Sequence, residues 1–444
     1  QSPVPTPTPV SKLNQSCTQQ GEEIESLDIK LVCRLISGNQ MKYFQIDATP
    51  SLISNPTSPD NLSSCRLPDL RPLPHQPEGT NITYPLTPHF GSVKEGVEKI
   101  AVVGFDFADA PGTGSPLTMF GNALKTSNEF FNWYSNGKVT FQFLTYDKWI
   151  RVNGSASTYK TSEHFESNGG LTVEEMDKEF YGQASKYLNL DGISAIWFVY
   201  PKDIQQLTFN FGSSGGNYGF PSIYGLGPYR YNSYPLVWSY FVHEMLHDQG
   251  LQGHSPKAPW MLGVMITENG ISEELNSWDE LSLDWLTDSE VYCTTKTNLS
   301  KVSLELAPVE REQAGLHSVM VKLNDHQVLV IESHRSGPFS PGMPNGIYGL
   351  TVQLVDTTKI TTWDDDQATS VFIKVSESHP HYPPFGVPIG QGLVLSNGMG
   401  LSQAGDGLDM NYFLLEGESI TVDGIKIEMK KSGYTDQVTI SRDN

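Results

Sequence analysis

The stretch "SYFVHEMLHDQGLQGHS", residues 239–255, carries three histidines and a glutamate within seventeen positions. Extended upstream to "PLVWSYFVHEMLHDQG", it reads as one helix. Ser233 can cap it, Pro235 suits its first turn and Gly250 suits its C-terminal stop. His243 and His247 are four residues apart, so they project from one helical face about 40° apart and can grip one ion. Glu244 lies beside them, placed to take a proton from a water that such an ion activates. These are the mechanics of the H-E-x-x-H zinc hydrolase signature. Catalytic zinc ordinarily takes three protein ligands plus water. The chain can swing back after Gly250, which makes His254 the candidate third ligand. Asp248, Glu268, Glu273 and the distant Glu332 in "VIESHR" are the acidic alternatives.

Outward from this helix, the upstream sequence alternates strand and helix patterns. "EKIAVVGFDF" (98–107) is a mostly apolar strand. "TMFGNALKTSNEFFNWYSNG" (118–137) spaces its apolar residues helically, and "KVTFQFLTYDKWIRV" (138–152) alternates as a strand. A helix follows over 172–190, opened by the capping box of Thr172 and Glu175. "ISAIWFVY" (193–200) is a buried strand, too short to cross a membrane. The pattern predicts an α/β domain over 96–292 with a mixed sheet and the histidine helix at its end. Beyond about residue 293 the texture changes to short strands with frequent turns, among them "KVSLELAPV", "QVLVIESH" and "GIYGLTVQLVD". This predicts an all-β, sandwich-like domain over 293–444.

Upstream of residue 96, three shorter pieces are expected. Residues 1–12 form a Pro/Thr-rich spacer and 13–50 a small disulfide-stapled β module. Residues 51–95 are an extended connector or pro-like segment, rich in Pro, Ser and Asn. The four cysteines are Cys17, Cys33, Cys65 and Cys293, with no pair at zinc-clip spacing. Cys17–Cys33 is the favoured bridge because it is close in sequence, and Cys65–Cys293 would then tie the connector to the end of the α/β domain. The net charge of −21, from 29 basic against 50 acidic residues, leaves little to neutralise phosphates and argues against nucleic acid as a partner. The absence of a membrane-spanning run, the cysteines and five N-x-S/T triplets lead to an expectation of a secreted or cell-surface protein, with association to a surface or matrix. Calcium is a second expected ion, in "TTWDDDQATS" with Asp356 or in "QAGDGLDMN", although neither is a full calcium loop.

"HEMLHDQGLQGH" resembles the long zinc signature of the metzincin metallopeptidases. More narrowly, the chain resembles the secreted bacterial peptidases typified by immune inhibitor A over about residues 96–440. The likeness includes "VVGFDFADAP", "FFNWYSNGKVTFQFLTYDKWI" and "ISAIWFVYP" before the motif. After it come "LNSWDELSLDWL", "VLVIESHRSGPFSPGMPNGIYGLTVQLVD" and "LLEGESITVDGIKIEMKKSG". The resemblance implies a zincin-like fold and a zinc endopeptidase acting on protein or peptide substrates. His243 and His247 would be ligands and Glu244 the general base. A methionine-containing turn would underlie the metal, with Met265 preferred over Met261. The family position of the third ligand is held here by Gly253, which has no side chain, and His254 follows one place later. This departure keeps a second reading open, a weak or inactive peptidase fold serving as a surface or structural protein. A third is a glycan- or partner-binding module acting through the C-terminal domain.

Overall fold

The computed structural model describes residues 12, 15–19, 22–26, 29–36, 40–45, 54–67, 85–89, 91–159, 173–202, 204, 220–227, 237–251, 256, 262–266, 272–310, 315–340, 343, 346–359, 370–382 and 408–443. The chain begins with a three-stranded antiparallel sheet of β1 (Glu23–Ser26), β2 (Ile29–Ile36) and β3 (Gln40–Gln45). Among the described residues its core cluster is Leu31, Cys33 and Tyr43, too little for an independent core. The Cys17–Cys33 bridge supplies the missing constraint, as the sequence predicts.

The connector then lies against the C-terminal half of the chain. Asn55 pairs with the backbone of Glu305, accepting from its N–H at 2.7 Å and donating to its carbonyl at 3.0 Å. The single turn α1 (Leu62–Cys65) is capped by Asn61 and brings Cys65 to Cys293. Leu62 and Leu67 are buried there beside Trp278 and Leu281, so the connector is anchored through side chains as well as the bridge.

The α/β unit is built on a sheet of order β5-β4-β6-β7. Its strands are β4 (Gly96–Asp106), β5 (Val139–Arg151), β6 (Ala195–Val199) and β7 (Ser222–Leu226). Helices α2 (Ala123–Tyr134) and α3 (Val173–Ala184) form the returns from β4 to β5 and from β5 to β6. Alternate residues of the central strands enter different cores. Ile100, Val102 and Trp197 face α2, whereas Ala101, Val103 and Phe198 face Phe180 of α3. Burial on both faces explains why "AVVGF" and "AIWFV" are continuously apolar. The expected mixed sheet is corrected in one respect. All three strand pairs are parallel among the described residues. Helical crossovers require parallel neighbours, but strand direction leaves no mark on a doubly buried apolar run.

The active helix candidate is α4 (Val237–Asp248), followed by α5 (Ser277–Ser282) and then, among the described residues, by strands apart from one short 3-10 turn. The first C-terminal sheet has the order β13-β12-β11-β10-β8. It comprises β8 (Val291–Thr295), β10 (Ser318–Lys322), β11 (Gln327–Arg335), β12 (Tyr348–Asp356) and β13 (Ser370–Phe372). The second has the order β16-β17-β18-β9, from β9 (Val302–Leu306), β16 (Ser419–Val422), β17 (Ile425–Ser432) and β18 (Asp436–Arg442). A small pair, β14 (His381–Tyr382) and β15 (Leu408–Asp409), lies between them in sequence. Val319, Ile331 and Val352 of the first sheet share one core with Leu304, Ile427 and Val438 of the second. The C-terminal region is therefore β-rich with two sheets across one core, as expected. No helix among the described residues is long and apolar enough to cross a membrane.

Candidate metal centres

Helix α4 forms because nearly every side chain in it has an apolar neighbour. Tyr240, Phe241, Val242, Met245 and Leu246 are all buried, the pattern of a core helix rather than a surface one. Two bonds tie it to β7. Tyr224 donates its hydroxyl to the Glu244 carbonyl at 3.2 Å, and Ser222 donates to Asp248 Oδ1 at 2.8 Å. The helix ends in a Schellman arrangement. Gly250 has φ +107°, its N–H donates to the His247 carbonyl, and the Leu251 N–H reaches back to the Leu246 carbonyl. The predicted stop at Gly250 is thus met, whereas Ser233 and Pro235 lie outside the described residues.

The two motif histidines converge. His243 Nδ1 is 2.7 Å from the Val264 carbonyl and His247 Nδ1 is 2.9 Å from the Leu251 carbonyl. A carbonyl only accepts, so both Nδ1 atoms carry a proton, which leaves the two Nε2 atoms to face one another. Those Nε2 atoms lie 3.2 Å apart, with the rings nearly perpendicular at 87°. Two lone pairs at that distance repel unless a cation or a proton sits between them. Imidazole nitrogens sharing one tetrahedral zinc at roughly 2.0–2.1 Å would stand about 3.3 Å apart. The donor set therefore fits zinc, and the carbonyl partners provide the outer hydrogen bonds that orient metal-binding histidines. Glu244 is on the same turn and nine-tenths buried.

Met265 lies in the turn that supplies the Val264 carbonyl, buried in the core shared with α4. Met261, Gly253, His254 and Glu268 lie outside the described residues. Two of the acidic alternatives are engaged elsewhere. Asp248 faces Ser222 rather than the histidines, and burial raises its pKa well above the ordinary value. Glu332 accepts from the Ser277 N–H and from Gln353 Nε2. The third alternative, Glu273, is fully buried. The calcium expectation fares differently in its two places. Asp356 is occupied by Thr358 and Gln327 as an ordinary turn acceptor, while 360–369 and 403–407 lie outside the described residues.

A second group could hold a metal ion. Glu274, Glu310 and His334 are all buried and bring one ligand atom each within 4.8 Å of one another. Sequence reading did not find them. They sit 36 and 24 positions apart in the chain, with no motif spacing. The usable signal was charge in an apolar setting, since "ISEEL" and "VIESH" both place ionisable residues inside hydrophobic runs. Comparison of the chain with protein-family models and with curated proteins finds no match.

Proposed function

We propose that the chain is a secreted zinc-dependent endopeptidase. The observation that carries this reading is the pair of Nε2 atoms at 3.2 Å, each ring locked by a carbonyl on its other nitrogen, beside Glu244. His243 and His247 would hold the zinc, with His254 proposed as the third ligand. Bound zinc supplies a Lewis acid for the scissile carbonyl and lowers the pKa of the attacking water. Glu244 takes the proton from that water and delivers it to the leaving amine as the C–N bond breaks. Burial of the carboxylate keeps bulk water from competing for that proton. The Tyr224 hydroxyl fixes the helix turn that carries Glu244, so the carboxylate's reach is set by the sheet. An extended substrate would be expected to add a strand to the catalytic sheet. Among the described residues β7 ends the sheet order beside α4, and its five residues are buried. Two disulfides fit an oxidising compartment and thus a secreted protein.

The test is hydrolysis of an unfolded protein substrate by wild type and Glu244→Gln, with zinc content measured on both. A loss of roughly 10²–10⁴-fold in rate with zinc retained supports the reading. Equal rates in the two proteins, or none in a zinc-loaded wild type, would remove it in favour of a non-catalytic scaffold.

A further inference from the structure

Glu274, Glu310 and His334 are buried and converge between the 272–276 segment and the C-terminal sheet. Glu310 follows β9. Its Oε1 is 2.8 Å from His334 Nδ1 and accepts from Ser272 Oγ at 3.3 Å, and its Oε2 accepts from the Arg335 N–H at 2.9 Å. His334 Nε2 is 2.8 Å from Thr351 Oγ1. Glu274 differs from both. It is 1% exposed and directed toward the other two, yet neither of its carboxylate oxygens has a donor in good hydrogen-bond geometry, only the Ser272 hydroxyl and the Glu274 N–H lying near enough to act on it. Among the described residues, His334 is the only basic side chain within ion-pair distance of either carboxylate. Arg335 gives its guanidinium to Asp436 and Ser432 instead. A buried carboxylate short of well-placed donors is costly, and a second one beside it adds repulsion.

We propose that Glu274, Glu310 and His334 hold a second divalent transition ion, structural rather than catalytic. One imidazole and two carboxylates form a nitrogen–oxygen set that suits zinc or manganese. Calcium and magnesium prefer oxygen alone. Bonds of roughly 2.0–2.2 Å to all three limit the ligand atoms to about 4.4 Å apart, so the group closes by a few tenths of an ångström on binding. The ion would also stiffen the first site. The Glu274 carbonyl accepts from the Val264 N–H at 3.0 Å, and the Val264 carbonyl is the one that orients His243.

This proposal is independent of the peptidase reading, and its test uses protein without the histidine pair. The His243→Ala/His247→Ala chain should take up one equivalent of Zn2+ in equilibrium dialysis. Hydrogen exchange on that complex should show zinc protecting 272–276, 308–310 and 332–335. Adding Glu274→Gln should weaken uptake by more than about 100-fold, since even outer partners of a metal are worth 10–100-fold. No zinc uptake by the double variant, or protection confined to other segments, would overturn the proposal without bearing on the helix site.

Discussion

The Leu251 carbonyl accepts from His247 Nδ1 at 2.9 Å, and the turn made by Gly250 is what brings it there. A β-carbon at position 250 would stand 2.9 Å from the Thr87 carbonyl oxygen, and the φ of +107° is one that other residues avoid. Gly250→Ala is therefore expected to cost about 1–3 kcal/mol of stability. It should also weaken zinc binding, because His247 loses its orienting partner. Chemical denaturation and zinc titration on the same variant check both effects.

The two disulfides should differ in their contribution. Cys65–Cys293 spans 228 residues and Cys17–Cys33 only 16. Chain entropy assigns such loops about 5 and about 3 kcal/mol respectively. Replacing Cys65 and Cys293 by serine should lower the main unfolding transition. Replacing Cys17 and Cys33 should loosen the N-terminal sheet and leave that transition nearly unchanged. Calorimetry on the two double variants separates them.

A pH dependence follows from Glu98. Burial raises its carboxyl to about 7, over the opposing hydrogen bonds from the Val93 N–H, Ser194, Gln249 and Ser92. The folded protein binds this proton more tightly than the unfolded chain, so the contribution is complete below about pH 4.5. It is lost as pH rises through about 7, for a total of about 3 kcal/mol. Urea unfolding of Glu98→Gln should show a shallower fall in stability over that window than wild type.

Much of this architecture was readable from local patterns. The histidine helix, its stop at Gly250, the continuous apolar strands and the C-terminal change to short strands all register as periodicity or turn chemistry within a dozen residues. Closeness in sequence favours Cys17–Cys33 among three possible connectivities, and the structure pairs the cysteines that way. Strand direction in the α/β sheet was not readable, because "AIWFV" reads the same in either orientation when both faces are covered. The Glu274–Glu310–His334 group was also hidden. Its members meet only because β11 pairs in the sheet, the turn after β9 carries Glu310, and the 272–276 segment runs past both. The outer bonds of the histidines lie between these extremes. Leu251 is four residues from His247 and could be anticipated from the helix stop, whereas Val264 is reached only through the fold.

If His243 and His247 share one metal ion, crystals of the full chain equilibrated with zinc and measured at the zinc absorption edge should show it. An anomalous peak is expected roughly 2.0–2.1 Å from both Nε2 atoms. Density at the zinc edge that avoids both rings, or a zinc-equilibrated chain with the two imidazoles joined by a proton alone, would contradict it.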